Sequence, residues 1–304
     1  MRSTRQFGRL GLPAIVIHGG AGTFPDLSEE ESALLLEALG TAREAGWEVL
    51  ERGGSAYDAV VEAVASLEDS GRFNAGRGAV PTDDGAVEFD AGVMDAATGA
   101  VGALCAATYP ANPVRAARAV AAVGGVPDGP VLLAGAGADD FCAKAGLEAM
   151  RPQWLTKGAG RAGPPSALSK EGTVGAVAVD RGGQVAAATS TGGRSGQRRG
   201  RVGDSPIPGA GVLAHRCGVA VSATGAGEAF LVAGFSHRVA WERQAGRPLH
   251  EAVEAALSAV GELGGTGGAV ALSDAGEFVA SFTTPAMARA WRGEGAREAY
   301  LLPG

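Results

Sequence analysis

Three clusters in the second half of the chain each combine hydroxyls, glycines and charge: "TSTGG" at 189–193, "GRVGDSP" at 200–206 and "TGAGE" at 224–228. Each follows, or lies between, expected strands, and strand ends are where binding and catalytic groups collect. A fourth stretch, "KEGTVGAVAVD" at 170–180, sets Thr173 at the mouth of a buried strand. That threonine reads either as a good strand residue or as a hydroxyl nucleophile. Taken singly, the clusters read as turn chemistry, and Arg201 with Asp204 as a surface pair worth under ~1 kcal/mol.

Other chemistries find little support. The four histidines, His18, His215, His237 and His250, show no helical metal-ligand spacing, and neither HExxH nor a paired CxxC occurs, which argues against a zinc site. There is no G-x-S-x-G elbow and no P-loop. "GAGADD" at 135–140 imitates a dinucleotide loop but lacks the third glycine. The cysteines Cys105, Cys142 and Cys217 are odd in number and sit among apolar neighbours, as buried free thiols do. That suits a reducing cytoplasm. A net charge of −7 disfavours a nucleic-acid partner, and no segment has the ~20 apolar residues of a membrane helix. The basic N-terminus has no signal-peptide apolar run.

The elements that must carry these clusters come in pairs. Strands are expected at 14–18, 86–95, 100–107, 129–135, 174–180, 185–190, 218–223, 268–273 and 278–282. A helix after Ser28, with Glu31 at capping-box spacing, ends at Gly53-Gly54, and Ser55 opens a second. Further helices are expected from Asn112-Pro113, over 138–150, over about 227–243 and over 248–262. Residues 151–172 have no apolar period and read as a flexible linker. Adjacent strand pairs and helix pairs suggest α+β layering rather than βαβα alternation. Neither half has enough strands to stand alone, so the 304 residues are expected to form a single domain.

Taken together, "HGGAG", "FNAGRGAV", "DAGVMD", "GTVGAVAVD", "TSTGG", "GRVGDSP" and "TGAGE" resemble the plant-type L-asparaginase and isoaspartyl peptidase family. These are threonine-dependent N-terminal nucleophile hydrolases. The motifs occur in the family's order over residues 14 to 290. The resemblance implies an Ntn-hydrolase αββα four-layer sandwich with two central antiparallel sheets. It also implies autocleavage between Gly172 and Thr173, giving 1–172 and 173–304. Thr173 would then be the nucleophile, with its freed α-amino group as base. Thr191 would orient it, Thr224 and Gly225 would form the oxyanion hole, and Asn74 would lie beside it. Arg201 and Asp204 would take the substrate's α-carboxylate and α-ammonium, with Gly225 and Gly227 giving close backbone approach. Substrates would be L-asparagine and isoaspartyl dipeptides. The alternatives are glycosylasparagine hydrolysis, or an unprocessed, non-catalytic relative. The resemblance further implies a homodimer of processed αβ protomers and a chemistry that requires no cofactor.

A structural sodium ion is also implied, held by main-chain carbonyls at Leu67, Glu68, Ser70, Phe73, Ala75 and Arg77. Carbonyl oxygens suit such a hard cation. The chain departs from the pattern in places. Gly92 and Ala96 stand where relatives have Ser and Gly. The loop "RSGQRRGR" at 194–201 is more basic than usual, with Arg194 and Gln197 replacing apolar and Lys residues. Arg194, Arg198 and Arg199 read as a solvated loop, and the dipeptide preference stays open.

Overall fold

The computed structural model describes residues 3–23, 27–155 and 172–301. Strands β1 (Thr4–Arg9) and β2 (Gly11–Gly22) open the chain, followed by α1 (Glu29–Glu51) and α2 (Ala56–Ser70). The hairpin β3 (Phe89–Asp95) and β4 (Val101–Ala107) leads to α3 (Pro113–Val123), β5 (Leu132–Ala134) and α4 (Gly135–Lys144). The second half contains β6 (Val174–Val179), β7 (Val185–Thr191), β8 (Val212–His215) and β9 (Val219–Gly225). Next come α5 (Gly227–Ala233), α6 (Phe235–Gln244) and α7 (Leu249–Glu262). The described chain ends with β10 (Gly267–Ser273), β11 (Glu277–Phe282), β12 (Ala286–Glu294) and β13 (Ala296–Tyr300).

The helices begin where their caps direct. Ser28 Oγ accepts from Glu31 N at 3.2 Å, and Glu31 accepts from Ser28 N at 2.9 Å, a complete capping box. Ser55 caps α2 by accepting from Asp58 N at 3.0 Å.

Two sheets form. One has the order β1-β11-β10-β9-β8 and the other β13-β12-β2-β6-β7-β3-β4-β5. Both sheets draw strands from either side of Gly172. Alternate residues of β2 enter different cores. Ile15 and Ile17 join the residues of α1 and α2, whereas Ala14 and Val16 join those of β9, β10 and α7.

Several expectations need correcting. The larger sheet is not wholly antiparallel, because β4 and β5 run parallel. They are joined through α3, the crossover that a parallel pair requires. The helix expected over 227–243 is two helices, because Gly234 at φ 58 breaks the chain direction between them. The helix expected over 138–150 runs instead from Gly135 to Lys144, just before Gly146 at φ 70. Strands β1, β8, β12 and β13 were not foreseen. Of the expected linker, Pro152–Trp154 forms a short 3-10 turn, and 156–171 lies outside the described residues.

Candidate active site

Thr173 is 7% exposed and directly precedes β6, which lies between β2 and β7 in the larger sheet. Thr191, the last residue of β7, donates its hydroxyl to the Gly172 carbonyl oxygen at 3.1 Å. Its own oxygen accepts from Gly193 N at 3.1 Å. Thr191 thus contacts the carbonyl immediately before Thr173. The Thr173 hydroxyl lies 3.4 Å from Ser205 Oγ, in the "GRVGDSP" segment.

Asn74 acts on the turn that follows Thr191. Its Nδ2 donates to Gly193 O at 2.6 Å, its Oδ1 accepts from Val80 N at 3.0 Å, and its carbonyl accepts from Gly192 N at 3.0 Å. Thr224 is fully buried near the end of β9, and its Oγ1 accepts from Ala21 N at 3.3 Å. The "HGGAG" end of β2 therefore meets the oxyanion-hole candidate directly. Accepting this bond leaves the Thr224 hydroxyl proton for another acceptor.

A buried hydroxyl chain ties the two sheets together beneath these groups. His18 Nε2 in β2 is 2.9 Å from Ser222 Oγ in β9, and Ser222 Oγ is 2.7 Å from Thr189 Oγ1 in β7. Thr189 donates to Gly211 O at 3.1 Å. Burial pulls the His18 imidazole down to about 3, so it is neutral at physiological pH and serves as a strut.

Charge is concentrated at Arg201 and Asp204. The Arg201 fork donates through Nε and Nη2 to the two Glu228 oxygens, both at 2.8 Å. This pairing holds the Glu228 carboxyl down at about 2. Asp204 is buried, and burial pushes its carboxyl up to about 7 despite Arg201 nearby. No described hydrogen-bond donor reaches its Oδ2. A side chain on Gly227 would meet Arg201 Nη2 at 2.9 Å and Asp204 Oδ1 at 3.0 Å, so any larger residue at the start of α5 would press on this pair.

The expected sodium-loop residues are contiguous in space. Leu67, Glu68 and Ser70 form the last turn of α2, Phe73 and Ala75 the following loop, and Arg77 the 3-10 turn Gly76–Gly78. A Cβ on Gly78 would lie 2.0 Å from Phe73 O and 2.9 Å from Gly71 O. One on Gly76 would lie 3.0 Å from Glu68 O. The Glu68 side chain is committed elsewhere, accepting from Val114 N at 2.9 Å at the start of α3, and burial raises its carboxyl to about 8.

This chain also has close relatives in sequence. Residues 11–302 match the asparaginase family. The chain belongs to the asparaginase family. Over 304 aligned residues it is 40% identical to the isoaspartyl peptidase of Escherichia coli (strain K12), covering 93% of each chain. It is 40% identical to the isoaspartyl peptidase/L-asparaginase of Danio rerio, with 90% of each chain covered. To the plant-type L-asparaginase of Pyrobaculum calidifontis it is 39% identical, over 95% of this chain and 100% of the relative.

In this asparaginase-family chain some site residues were not singled out from sequence. Asp90, paired with Thr191 across β3 and β7, accepts from Ala106 N at 2.7 Å and is also stabilised by the Gly203 backbone. Burial pushes its carboxyl up to about 7, and the Ala106 backbone bond and the charge of Arg201 oppose this. Ala106 holds φ 47, a left-handed conformation that is costly for a residue with a Cβ. Gln197 is buried and braces the basic loop, with its Oε1 accepting from Arg194 N at 2.9 Å. The "DAGVMD" match flagged the Asp90 segment, and "TGAGE" flagged Glu228. Neither motif showed what its carboxylate would hold.

Proposed function

We propose that this chain is an autoprocessing hydrolase of β-aspartyl amide bonds, acting on isoaspartyl dipeptides and L-asparagine. Membership of the asparaginase family and the activities named for its relatives support the reaction class. The observation that carries the processing step is the 3.1 Å hydrogen bond from Thr191 to the Gly172 carbonyl. A donor placed there stabilises negative charge as that carbonyl is attacked.

In the first step Thr173 Oγ attacks the Gly172 carbonyl carbon, and the C–N bond breaks. The proton moves to the departing nitrogen and an ester forms. Water hydrolyses the ester, leaving a Gly172 carboxylate and a free Thr173 amine. That amine, with a pKa of ~8, then takes the proton from its own hydroxyl. The hydroxyl oxygen attacks the substrate's β-carbonyl, and Thr224 and Gly225 stabilise the oxyanion. The leaving amine departs with a proton, and water releases aspartate from the acyl-enzyme. Arg201 holds the substrate α-carboxylate and Asp204 its α-ammonium. Asn74 acts by fixing the Gly192–Gly193 turn.

Further parts of this reading rest on separate observations. The split of β2 residues between two cores supports an αββα sandwich. The Gly76–Gly78 cradle fits a sodium ion held by the carbonyls at Leu67, Glu68, Ser70, Phe73, Ala75 and Arg77. Such an ion would stiffen the loop that carries Asn74.

The test is intact mass measurement of purified protein with parallel amide hydrolysis assays. Two fragments, the second starting at Thr173, with activity lost in an uncut Thr173→Ala chain, are expected. A Thr173→Ala protein that still splits, or still hydrolyses both substrates, overturns the assignment.

A further inference from the structure

Arg201 and Asp204 are carried by the segment 200–206, whose glycines Gly200 and Gly203 have no side chains to anchor it. Its backbone is held instead from β3. Glu88, just before β3, accepts from Gly200 N at 2.8 Å. Asp90 accepts from Ala106 N at 2.7 Å and also from the Gly203 N–H. Gly92 continues the row. A Cβ there would lie 3.2 Å from Pro206 O and 3.3 Å from Pro206 Cα, so the segment rests on bare backbone at that point. Residues two apart along a strand share a face, and 88, 90 and 92 therefore form one track under 200–206. Both carboxylates on the track are buried.

The Arg201 fork lies on the clamped residue itself. A Cβ on Gly203 would meet Arg201 Nη1 at 2.9 Å, Nη2 at 3.2 Å and Cζ at 3.3 Å, so the guanidinium covers the residue whose N–H Asp90 accepts. Asp204 is the next residue along. Its carbonyl accepts from Ile207 N at 2.9 Å and Gly211 N at 3.0 Å, which fixes the far side of the segment. Charge links the same groups. Arg201 and Glu88 act on Asp90, and Asp90 acts on Asp204 and on the Cys105 thiol of β4. Asp204 is also subject to Arg201 and Glu228, and Glu88 faces Arg199 Nε at 3.7 Å.

We propose that Asp90, together with Glu88, is a positioning residue for substrate binding, clamping the Gly200–Gly203 backbone and so setting where Arg201 and Asp204 present their charges. The inference rests on the β-aspartyl hydrolase reading, in which those two residues hold the substrate's α-groups. A binding constellation keeps its geometry only when the groups behind it are locked. A carboxylate suits this task because two oxygens accept from two N–H groups at once, whereas a side-chain amide offers one oxygen. Asp90 touches no substrate in this role. Its negative charge also makes Asp204 harder to ionise, so it acts on the ammonium site through charge as well as through shape.

The test measures KM and kcat for L-asparagine and an isoaspartyl dipeptide across the neutral pH range, using self-cleaved wild type, Asp90→Asn and Glu88→Ala. Asp90→Asn is expected to raise KM about 10-fold for both substrates, the loss of one hydrogen bond to a charged group, with kcat changing less than about 3-fold. The fall of KM with rising pH is expected to move to lower pH, because Asp204 loses a neighbouring negative charge. Self-cleavage uses neither Arg201 nor Asp204, and its time course is expected to follow wild type. A KM and a pH profile unmoved by Asp90→Asn overturn the proposal. A loss shared equally by KM, kcat and self-cleavage also overturns it, since general damage to the sheet would give that result. If Asp90→Asn does not fold, Glu88→Ala decides by the same split between KM and kcat. Wild type that hydrolyses neither substrate overturns the hydrolase reading, and the positioning role with it.

Discussion

Thr191 Oγ1 donates to the Gly172 carbonyl oxygen at 3.1 Å, while the residue after that carbonyl, Thr173, carries the candidate nucleophile. One threonine therefore polarises the bond that the other would attack. Thr191→Ala should slow self-cleavage by about 10²-fold, the usual loss for a single oxyanion donor. Thr191→Ser, which keeps the hydroxyl, should cleave at near the wild-type rate. Time courses of fragment appearance on a denaturing gel decide this. Equal rates for the alanine and wild-type chains would remove Thr191 from the step.

The Arg201–Glu228 pair makes a graded prediction for substrate binding. Arg201→Leu removes the planar fork and should raise KM for L-asparagine and isoaspartyl dipeptides alike, by about 10²-fold. Glu228→Gln keeps Arg201 but weakens its two charge-assisted bonds, and should raise KM by only about 3- to 10-fold. Steady-state kinetics with both substrates checks the order. A KM unmoved by Arg201→Leu tells against the pairing with the α-carboxylate.

Asp204 gives opposite pH trends for stability and binding. Burial raises its carboxyl from 3.8 to about 7, and the charged groups acting on it are Arg201, Glu228 and Asp90. The folded chain holds this proton more tightly than the unfolded chain does. The stabilising contribution is thus complete below about 3.8 and is lost as pH rises through about 7. Asp90, also raised to about 7, acts in the same direction. The Tm of the substrate-free protein should accordingly fall across this window. Substrate ammonium needs the ionised form, so KM should fall over the same range. Scanning calorimetry and KM–pH profiles test the two arms, and Asp204→Asn should flatten the second.

The His18–Ser222–Thr189 chain should contribute to stability because it pairs His18 Nε2 and both hydroxyls inside the core. Ser222→Ala strands His18 Nε2 and one Thr189 lone pair in the core, at a cost of about 1–3 kcal/mol. Denaturant titration in the uncut Thr173→Ala background measures this on one continuous chain. A change below a few tenths of a kcal/mol would show that the network is dispensable.

Much of the site was legible because its motifs are short and sit at strand ends. Thr173 before β6, Thr191 ending β7 and Thr224 near the end of β9 were each marked by the glycines beside them. Long-range partners left no such local mark. Asp90 reaches Ala106 N across the β3–β4 hairpin and the Gly203 backbone far along the chain. Strand β12 escaped notice for a related reason. Its centre is Arg289, a fully buried cation that donates to Gln6 Oε1 at 2.6 Å and Met287 O at 2.7 Å and lies over the Phe282 and Tyr300 rings. An arginine in "AMARAWRGE" reads as a surface residue until Gln6 and the two rings, all outside that segment, are brought to it. The loop at 194–201 reads in the structure as it does in the sequence, with Arg194, Arg198 and Arg199 exposed, whereas the buried Gln197 among them was only a substituted position in the sequence.

The placing of β2 between β12 and β6 has a consequence for how the protein would survive its own cleavage. A strand from before Gly172 is zipped on both edges to strands from after it. Cutting the connection would release no edge, and the fragments would stay joined by ladder hydrogen bonds and two shared cores. Unfolding would then separate two fragments that no covalent link holds together. Reassembly of the cut protein would be a second-order encounter whose yield depends on concentration, whereas the uncut chain refolds by a first-order path. The cut enzyme would thus owe its persistence to the height of its unfolding barrier.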